Sequence, residues 1–239
     1  MRIKQLGNNG GLGDPTATNS AFLIDLYDDH SEYLLFDIGY NVMARLVEEE
    51  ANDNYFTISK IKHLVVSHKH DDHCGNLETL IYWNHFKNNV QMDIYVADKG
   101  LAQTVKDTRK IVDNFNIVKA KTYNSLRIVS SDDHFHLGED GSPIMYFSPA
   151  NHGAKAAVGM LIWEPTRSYF ISGDTKALPV IEAMASDCDI IFHDYSDWDD
   201  ESKNVHACKT DFEREYSQQF KNRVTKYHTG SPTFNEDWQ

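Results

Sequence analysis

Cysteine is scarce in this 239-residue chain, with only Cys74, Cys188 and Cys208, which are odd in number and widely spaced. A small disulfide-stapled scaffold needs many paired cysteines, so that class of protein is excluded. No run approaches the roughly 18 apolar residues that a transmembrane helix requires. The first residues lack the apolar segment of a secretory signal. We therefore expect a protein of the reducing cytoplasm, with no membrane segment.

Basic residues are also few, because 23 Lys and Arg stand against 36 Asp and Glu, for a net charge of -13. Proteins that bind nucleic acid gain much of their affinity by neutralising phosphates with Lys and Arg. Here the nearest approach to a basic cluster is the scattered set Lys119, Lys121 and Arg127. The charge balance favours a small phosphate-bearing substrate over a long nucleic acid. The acidic clusters at 48–50 and 197–201 are expected to be solvated loops or helix ends.

The chain has no internal repeat, low-complexity run or Pro/Ser-rich linker. Short β-branched and aromatic runs bounded by turn residues predict strands. These strands are expected at 21–26, 33–37, 61–67, 91–96, 126–129, 144–148, 157–163, 168–172 and 189–193. Helical patterns are expected at 77–86, 101–115 and 179–185. Strands with interspersed helices indicate a layered α/β domain.

The most informative segment is 67–76, where three histidines and two acids within six residues follow an apolar strand. Residues two apart on an extended chain point the same way, so His68 and His70 are expected to hold one metal together. Asp72 and His73, at the turn into a helix, are expected to face a second metal. Imidazole and carboxylate suit zinc, iron or manganese. The alternative is a solvated polar turn in which these residues occur by chance. Three histidines at this spacing after a strand are hard to obtain by chance.

This motif and its surroundings resemble the metallo-β-lactamase fold superfamily over nearly the whole chain. Segment 34–39 resembles the early strand that ends in an Asp and a Gly, and 151–162 resembles the third-histidine segment with its returning strand. Segment 170–175 resembles the strand that ends in a bridging Asp, and 227–230 resembles the last histidine. The resemblance implies a four-layer αββα sandwich, as a single domain over 1–239 with halves of about 1–120 and 121–239.

The resemblance also implies a site for two divalent ions, preferably Zn²⁺, with Mn²⁺ or Fe as alternatives. One ion would take His68, His70 and His152, the other would take Asp72, His73 and His228, and Asp174 would bridge them. Such ions activate a shared water, which Asp72 could orient or deprotonate. Asp37 is expected to orient a ligand rather than bind metal. Cys74 is expected to pack beside the site, and His206 is a rival for the place of His228.

The C-terminal third resembles the ribonuclease Z branch and its small phosphodiesterase relatives. His193 and Asp194 end an apolar strand, and Val205-His206-Ala207 follows about a dozen residues later. The resemblance implies that Asp194 orients His206, which acts as general acid and protonates the leaving oxygen. For His193 two roles remain possible: a packed histidine at the end of a strand, or the general acid in place of His206. True β-lactamases commonly carry cysteine where this chain has Asp174, so antibiotic hydrolysis is disfavoured.

Only 21 residues separate His152 from Asp174, which leaves no room there for the tRNA-binding arm of ribonuclease Z. The nearest resemblance is to armless cyclic-nucleotide phosphodiesterases such as the phage anti-Pycsar proteins, and the opening 6–24 fits that branch. Hydrolysis of 3′,5′-cyclic nucleotides is therefore expected, in the host cytoplasm if the source is viral. The alternatives are a tRNA 3′ endonuclease, a lactone or thioester hydrolase and a non-catalytic metal-binding module. Relatives are commonly homodimers, and 196–203 with Trp198 is a candidate lid or interface loop.

Overall fold

The computed structural model describes residues 1–11, 13–27, 29–115, 123–138, 142–153, 156–197, 205–231, 234–235 and 237–239. The chain divides into two compact units, Met1–Ile128 with Pro232–Gln239, and Val129–Ser231. The longer segment of the first unit thus ends with the last strand of its own sheet. The expectation of a single domain with two halves stays a prediction. Among the described residues, no helix combines the length and the apolar character needed to cross a membrane.

The first unit contains a six-stranded sheet in the order β1-β2-β3-β4-β5-β6. The strands are β1 Arg2–Gly7, β2 Ala21–Asp25, β3 Tyr33–Phe36, β4 Ile61–Val66, β5 Asp93–Val96 and β6 Ser125–Ile128. β1 to β3 are antiparallel, and β3 to β6 are parallel. The helices are α1 Val42–Asn52, α2 Asp71–Cys74, α3 Leu77–Tyr82 and α4 Lys99–Phe115. A 3₁₀ turn covers Ile58–Lys60, and a π-helical stretch, Trp83–Asn88, continues α3.

The core of the first unit determines where its polar residues emerge. β3 is buried throughout and β4 is buried at all but one position, as expected for parallel strands covered on both faces. Leu23, Leu35 and Leu64 of the sheet share one apolar cluster with Leu46 of α1 and Leu80 of α3. Because β3 and β4 run in parallel register, the residues that follow them leave the sheet at one edge.

The second unit contains a six-stranded sheet in the order β12-β11-β10-β9-β8-β7. The strands are β7 His134–His136, β8 Ile144–Pro149, β9 Val158–Glu164, β10 Arg167–Ile171, β11 Ile190–Asp194 and β12 Val224–Tyr227. β10, β11 and β12 are parallel, so their carboxyl ends share one edge of the sheet. The helices are α5 Pro179–Ala185, α6 Lys209–Glu215 and α7 Gln218–Lys221. Ile181, Phe212 and Phe220 of these helices pack in one cluster with Phe170 and Ile191 of the sheet.

The two sheets with their helices confirm the predicted α/β class. All nine predicted strands and three predicted helices have counterparts, with ends shifted by a few residues. Three strands, β1, β7 and β12, and the helices α1, α2, α6 and α7 are additional to the prediction. Glu49, in the first acidic cluster, lies near the end of α1 and is buried, where it pairs with Lys4 at 2.5 Å and Arg45 at 2.9 Å. Most of the proposed lid, including Trp198, and most of the second acidic cluster lie outside the described residues.

Candidate metal-binding site

Asp37 organises the polar edge of the first unit. It follows β3 directly, with a left-handed backbone (φ 65°). Its Oδ1 accepts the Ser67 backbone N–H at 2.7 Å, and its Oδ2 accepts the Ser67 hydroxyl at 2.8 Å. The same Oδ2 lies 2.7 Å from Nδ1 of His73, which donates to it. Asp37 thus fixes a histidine ring through hydrogen bonds, in line with the orienting role expected from the sequence.

These hydrogen bonds also assign the tautomers of two histidines. Because the Ser67 hydroxyl donates its only proton to Asp37, its oxygen accepts from Nδ1 of His68, 3.1 Å away. His68 and His73 therefore carry their proton on Nδ1 and present Nε2 as a lone-pair donor. Histidines that bind metals typically donate their other ring N–H to an oxygen in this way.

The donor set of the first unit fits a divalent cation. Ligands about 2.0–2.1 Å from a tetrahedral zinc ion lie roughly 3.4 Å from one another. Nε2 of His73 lies 3.4 Å from Oδ2 of Asp72, and Nε2 of His68 lies 2.8 Å from Nδ1 of His70. All four residues are buried or partly buried. Small shifts would bring each pair of atoms onto a shared cation.

Two glycines let the backbone approach Asp72 closely. A Cβ on Gly39 would lie 1.8 Å from the Asp72 carbonyl oxygen, so this position cannot carry a side chain without rearrangement. A Cβ on Gly11 would lie 3.1 Å from Asp72 Oδ2. The loop that carries Gly11 is fixed by Asn9, whose Nδ2 donates to the Asp14 carbonyl at 2.9 Å. In the sequence this segment contributes only to the family resemblance, and nothing in it predicts the close approach of Gly11 to Asp72.

We expect Gly11→Ala to lower kcat/KM for the preferred substrate about tenfold, because the added methyl group displaces the Asp72 carboxylate. Steady-state kinetics on the metal-loaded protein measure the effect. Gly100→Ala is the matched control, since its methyl group meets the ends of the Lys69 and Asp98 side chains, at 3.0 and 3.2 Å, and none of the proposed metal ligands. Equal rates for Gly11→Ala and the unmodified protein would contradict the expectation.

The second unit gathers its own polar cluster where the three parallel strands end. Asp174 follows β10 through Gly173, which has a positive φ of 64°, Asp194 ends β11, and His228 follows β12 with a φ of 64°. Ligand atoms of Asp174, Asp194, His206 and His228 all lie within 4.8 Å of one another. His152, which follows β8, brings its Nε2 to 3.9 Å from Asp174 Oδ2.

The histidines around Asp174 show the same orientation as those of the first unit. Nδ1 of His152 lies 3.4 Å from the Val205 carbonyl oxygen. Nδ1 of His228 lies 3.5 Å from Asp194 Oδ1, while its Nε2 lies 3.7 Å from Asp174 Oδ2. In both residues Nδ1 faces an oxygen acceptor and Nε2 faces the Asp174 carboxylate. This cluster therefore also fits a divalent cation by its chemistry.

His206 and Asp194 form a close pair beside Asp174. Nδ1 of His206 donates to Asp194 Oδ2 at 2.8 Å and lies 3.7 Å from Asp174 Oδ2. Asp194 Oδ2 also accepts the Thr175 N–H at 2.8 Å. Burial opposes protonation of His206, but the hydrogen bond and negative charge of Asp194 outweigh it and raise the His206 pKa. The His206 side chain is 23% exposed, so this imidazole is both favoured as a cation and accessible to a ligand.

His193 has different surroundings, although it precedes Asp194 in the chain. Its ring is fully buried, and burial lowers its pKa to about 4. Nε2 lies 2.7 Å from the Tyr216 hydroxyl, and Nδ1 lies 2.8 Å from the Asp194 carbonyl oxygen. Of the two histidines left open as proton donors by the sequence, the geometry favours His206.

Cys74 lies in α2 beside His73 and packs, half-buried, against the apolar cluster of the first unit. Burial, with the negative charge of Asp71 and Asp37, raises the pKa of its thiol to about 11. This placement accords with the packing role expected from the sequence.

A family profile for the anti-Pycsar protein Apyc1 matches residues 1–237 of the chain. The chain belongs to the Apyc1 family. Its fold is that of the metallo-β-lactamase fold protein YhfI from Bacillus subtilis, at a TM-score of 0.72 and 18% identity over 95% of this chain and 86% of that one. The short form of human tRNase Z matches at a TM-score of 0.74 and 16% identity, over 96% and 93% of the two chains. The comparison with curated proteins found no match.

A third similar structure is Zn²⁺-bound PqqB from Methylobacterium extorquens, with a TM-score of 0.63 and 14% identity over 97% of this chain and 99% of that one. At these low identities the solved structures establish the fold alone. They confirm the predicted metallo-β-lactamase fold for this Apyc1 family member, and the family match confirms the predicted anti-Pycsar relationship.

Proposed function

We propose that this Apyc1 family member is a divalent-metal-dependent phosphodiesterase that hydrolyses 3′,5′-cyclic nucleotides, and thereby removes a defence signal. Family membership supports the substrate class, because anti-Pycsar proteins act against cyclic-nucleotide signalling. The observation that carries the chemistry is the His206–Asp194 pair beside Asp174. This pair supports the proposal, because a phosphodiesterase needs a proton donor for the leaving oxygen.

The histidine and aspartate clusters support the proposed binding of divalent metal ions. Bound ions would supply Lewis acidity, which stabilises charge on the phosphoryl oxygens and lowers the pKa of water. Zn²⁺ is the expected ion, with Mn²⁺ or Fe as alternatives, and the expected number is two. The assignment of ligands to each ion also stays a prediction. The residues are His68, His70, Asp72, His73, His152, Asp174 and His228.

The chain itself would supply the protons and the orientation. Asp72, only 8% exposed, presents a carboxylate that can accept a proton from the attacking water. His206 would donate its Nε2 proton to the leaving oxygen, while Asp194 holds Nδ1 and stabilises the imidazolium. The leaving group of a cyclic nucleotide is a basic ribose alkoxide, so this protonation lowers the barrier substantially.

Two features favour a compact substrate over tRNA. β9 and β10 form an antiparallel hairpin whose strands are joined by two residues, 165–166, so this connection carries no arm. The net charge of -13 opposes binding of a long polyanion. Cleavage of precursor tRNA at rates rivalling those on cyclic nucleotides would favour the endonuclease alternative.

The deciding experiment is hydrolysis of 3′,5′-cyclic mononucleotides and bis-p-nitrophenyl phosphate by protein of measured metal content. We expect hydrolysis of both substrates, and loss of both activities after removal of the metal by a chelator. Restoration by Zn²⁺ or Mn²⁺ and a higher melting temperature with bound metal are also expected, because ligands of the native state stabilise it. Turnover of lactones or thioesters without turnover of cyclic nucleotides would overturn the proposal.

The expected homodimer stays a prediction. Size-exclusion chromatography with light scattering measures it directly, and the expected result is twice the chain mass of 27.4 kDa. A single-chain mass at micromolar concentration would contradict it.

A further inference from the structure

A buried series of hydrogen bonds runs from the start of α5 to Asp194 within the second unit. The Leu178 backbone N–H donates to the Tyr216 hydroxyl oxygen at 3.0 Å. That hydroxyl lies 2.7 Å from His193 Nε2, and His193 Nδ1 lies 2.8 Å from the Asp194 carbonyl oxygen. Tyr216 is 5% exposed and His193 is fully buried. Neither residue belongs to the proposed metal ligands.

The direction of each hydrogen bond follows from the groups involved. A backbone carbonyl only accepts, so His193 must carry a proton on Nδ1 to bond the Asp194 oxygen. Burial keeps the ring neutral, which leaves Nε2 as an acceptor for the Tyr216 proton. The Tyr216 oxygen in turn accepts from Leu178, whose N–H only donates. Each hydrogen bond in the series therefore has a fixed donor and a fixed acceptor, so only one set of proton positions satisfies the whole series.

This series ends on the backbone of the residue that orients His206. The Asp194 N–H is held by the Ser172 hydroxyl at 2.9 Å, and its carbonyl is held by His193. With its N–H and its carbonyl both held, the backbone of Asp194 is fixed, and this sets the position from which its carboxylate extends. The carboxylate meets the Thr175 N–H and His206 Nδ1 with the same Oδ2, each at 2.8 Å. A small shift of the strand end would weaken both contacts.

We propose that Tyr216 and His193 form a positioning relay that sets Asp194, and through it His206, for protonation of the leaving oxygen. The relay rests on the proposed function, since it serves the proton donor of that reaction. Tyr216 and His193 are positioning residues, because neither reaches the substrate. The alternative to positioning is a purely structural role. The rings of Tyr216 and His193 also contact Phe212, at centroid distances of 5.1 and 4.9 Å, and help to pack α6 against β11.

Tyr216→Phe tests the relay, because it keeps the packed ring and removes only the hydroxyl. We expect kcat for a 3′,5′-cyclic mononucleotide to fall about tenfold with KM within roughly twofold, as for a misplaced catalytic group. The rate on bis-p-nitrophenyl phosphate should stay within about twofold, because nitrophenolate leaves without a proton. Tyr195→Phe is the matched control, since its ring also packs on Phe212, and it should leave both rates unchanged.

An equal loss on both substrates in Tyr216→Phe, or no loss on either, would overturn the relay. ¹⁵N NMR of histidine-labelled protein gives a readout independent of turnover. The relay requires His193 in the Nδ1–H form, and it requires the His206 Nδ1–H resonance to shift in Tyr216→Phe but not in Tyr195→Phe. An Nε2–H form of His193, or an unmoved His206 resonance, would refute it. These signals test the relay even where cyclic nucleotides prove not to be substrates, so the two failures are distinguishable.

Discussion

Asp72→Asn is expected to reduce hydrolysis of both cyclic nucleotides and bis-p-nitrophenyl phosphate by about 10³-fold or more. The amide keeps the size of the side chain but loses its negative charge, and it replaces one oxygen donor with an NH₂ group that cannot bind a cation. Because the loss concerns the ions and the attacking water, it does not depend on the leaving group. Kinetics and metal analysis of the purified variant check both effects.

Asp71→Asn is the matched control for Asp72→Asn. The two residues are adjacent in α2, but Asp71 is exposed and its carboxylate accepts from the Tyr40 hydroxyl at 3.2 Å. The control is expected to stay within about threefold of the unmodified protein, as is usual for an exposed substitution. A folded Asp72→Asn variant with full metal content and near-normal rates would exclude a role of Asp72 in the site.

His206→Ala is expected to separate the two substrates. Hydrolysis of 3′,5′-cyclic mononucleotides should fall by about 10²–10³-fold, the usual contribution of a general acid. Hydrolysis of bis-p-nitrophenyl phosphate should fall by less than about tenfold, because p-nitrophenolate is a stable leaving anion. The ratio of the two kcat/KM values is the measurement, since it cancels any shared loss of metal or fold.

The control for His206→Ala is His136→Ala, an exposed histidine of β7 in the same unit. It should leave the substrate ratio unchanged. Equal losses on both substrates in His206→Ala would assign His206 to metal binding, the role in which it is a rival of His228. Near-normal turnover of both substrates would favour an ester or lactone hydrolase, which needs no strong acid.

The sequence was most informative where the site residues are contiguous. His68, His70, Asp72 and His73 lie in one short segment after a buried strand, so local spacing alone predicted their convergence. Asp174 and His228 needed the family resemblance, because each is a lone residue at a strand end. The structure places both within one cluster of the second unit, as β10, β11 and β12 are parallel and end together.

Other features were not predictable because they depend on contacts distant in sequence. His193 and Tyr216 are 23 residues apart, and nothing in the helix that precedes Tyr216 marks its hydroxyl as a partner. β1 was missed because its Arg2, Lys4 and Gln5 are polar, although pairing with β2 makes the segment a strand. α1 itself was not predicted, although the acidic cluster at 48–50 was expected to be a solvated loop or a helix end. The cluster does lie near the end of α1, but Glu49 is buried beside its two basic partners and is not solvated.

The left-handed backbone at Asp37 and His228 has a consequence for engineering the protein. Such a conformation costs most residues about 1–2 kcal/mol, and glycine or asparagine accepts it more readily. Selection for heat tolerance alone would therefore enrich Gly or Asn at both positions and discard the carboxylate and imidazole that they present. We expect a more thermostable variant obtained in that way to lack activity, so both codons should be kept unchanged in libraries screened for thermostability.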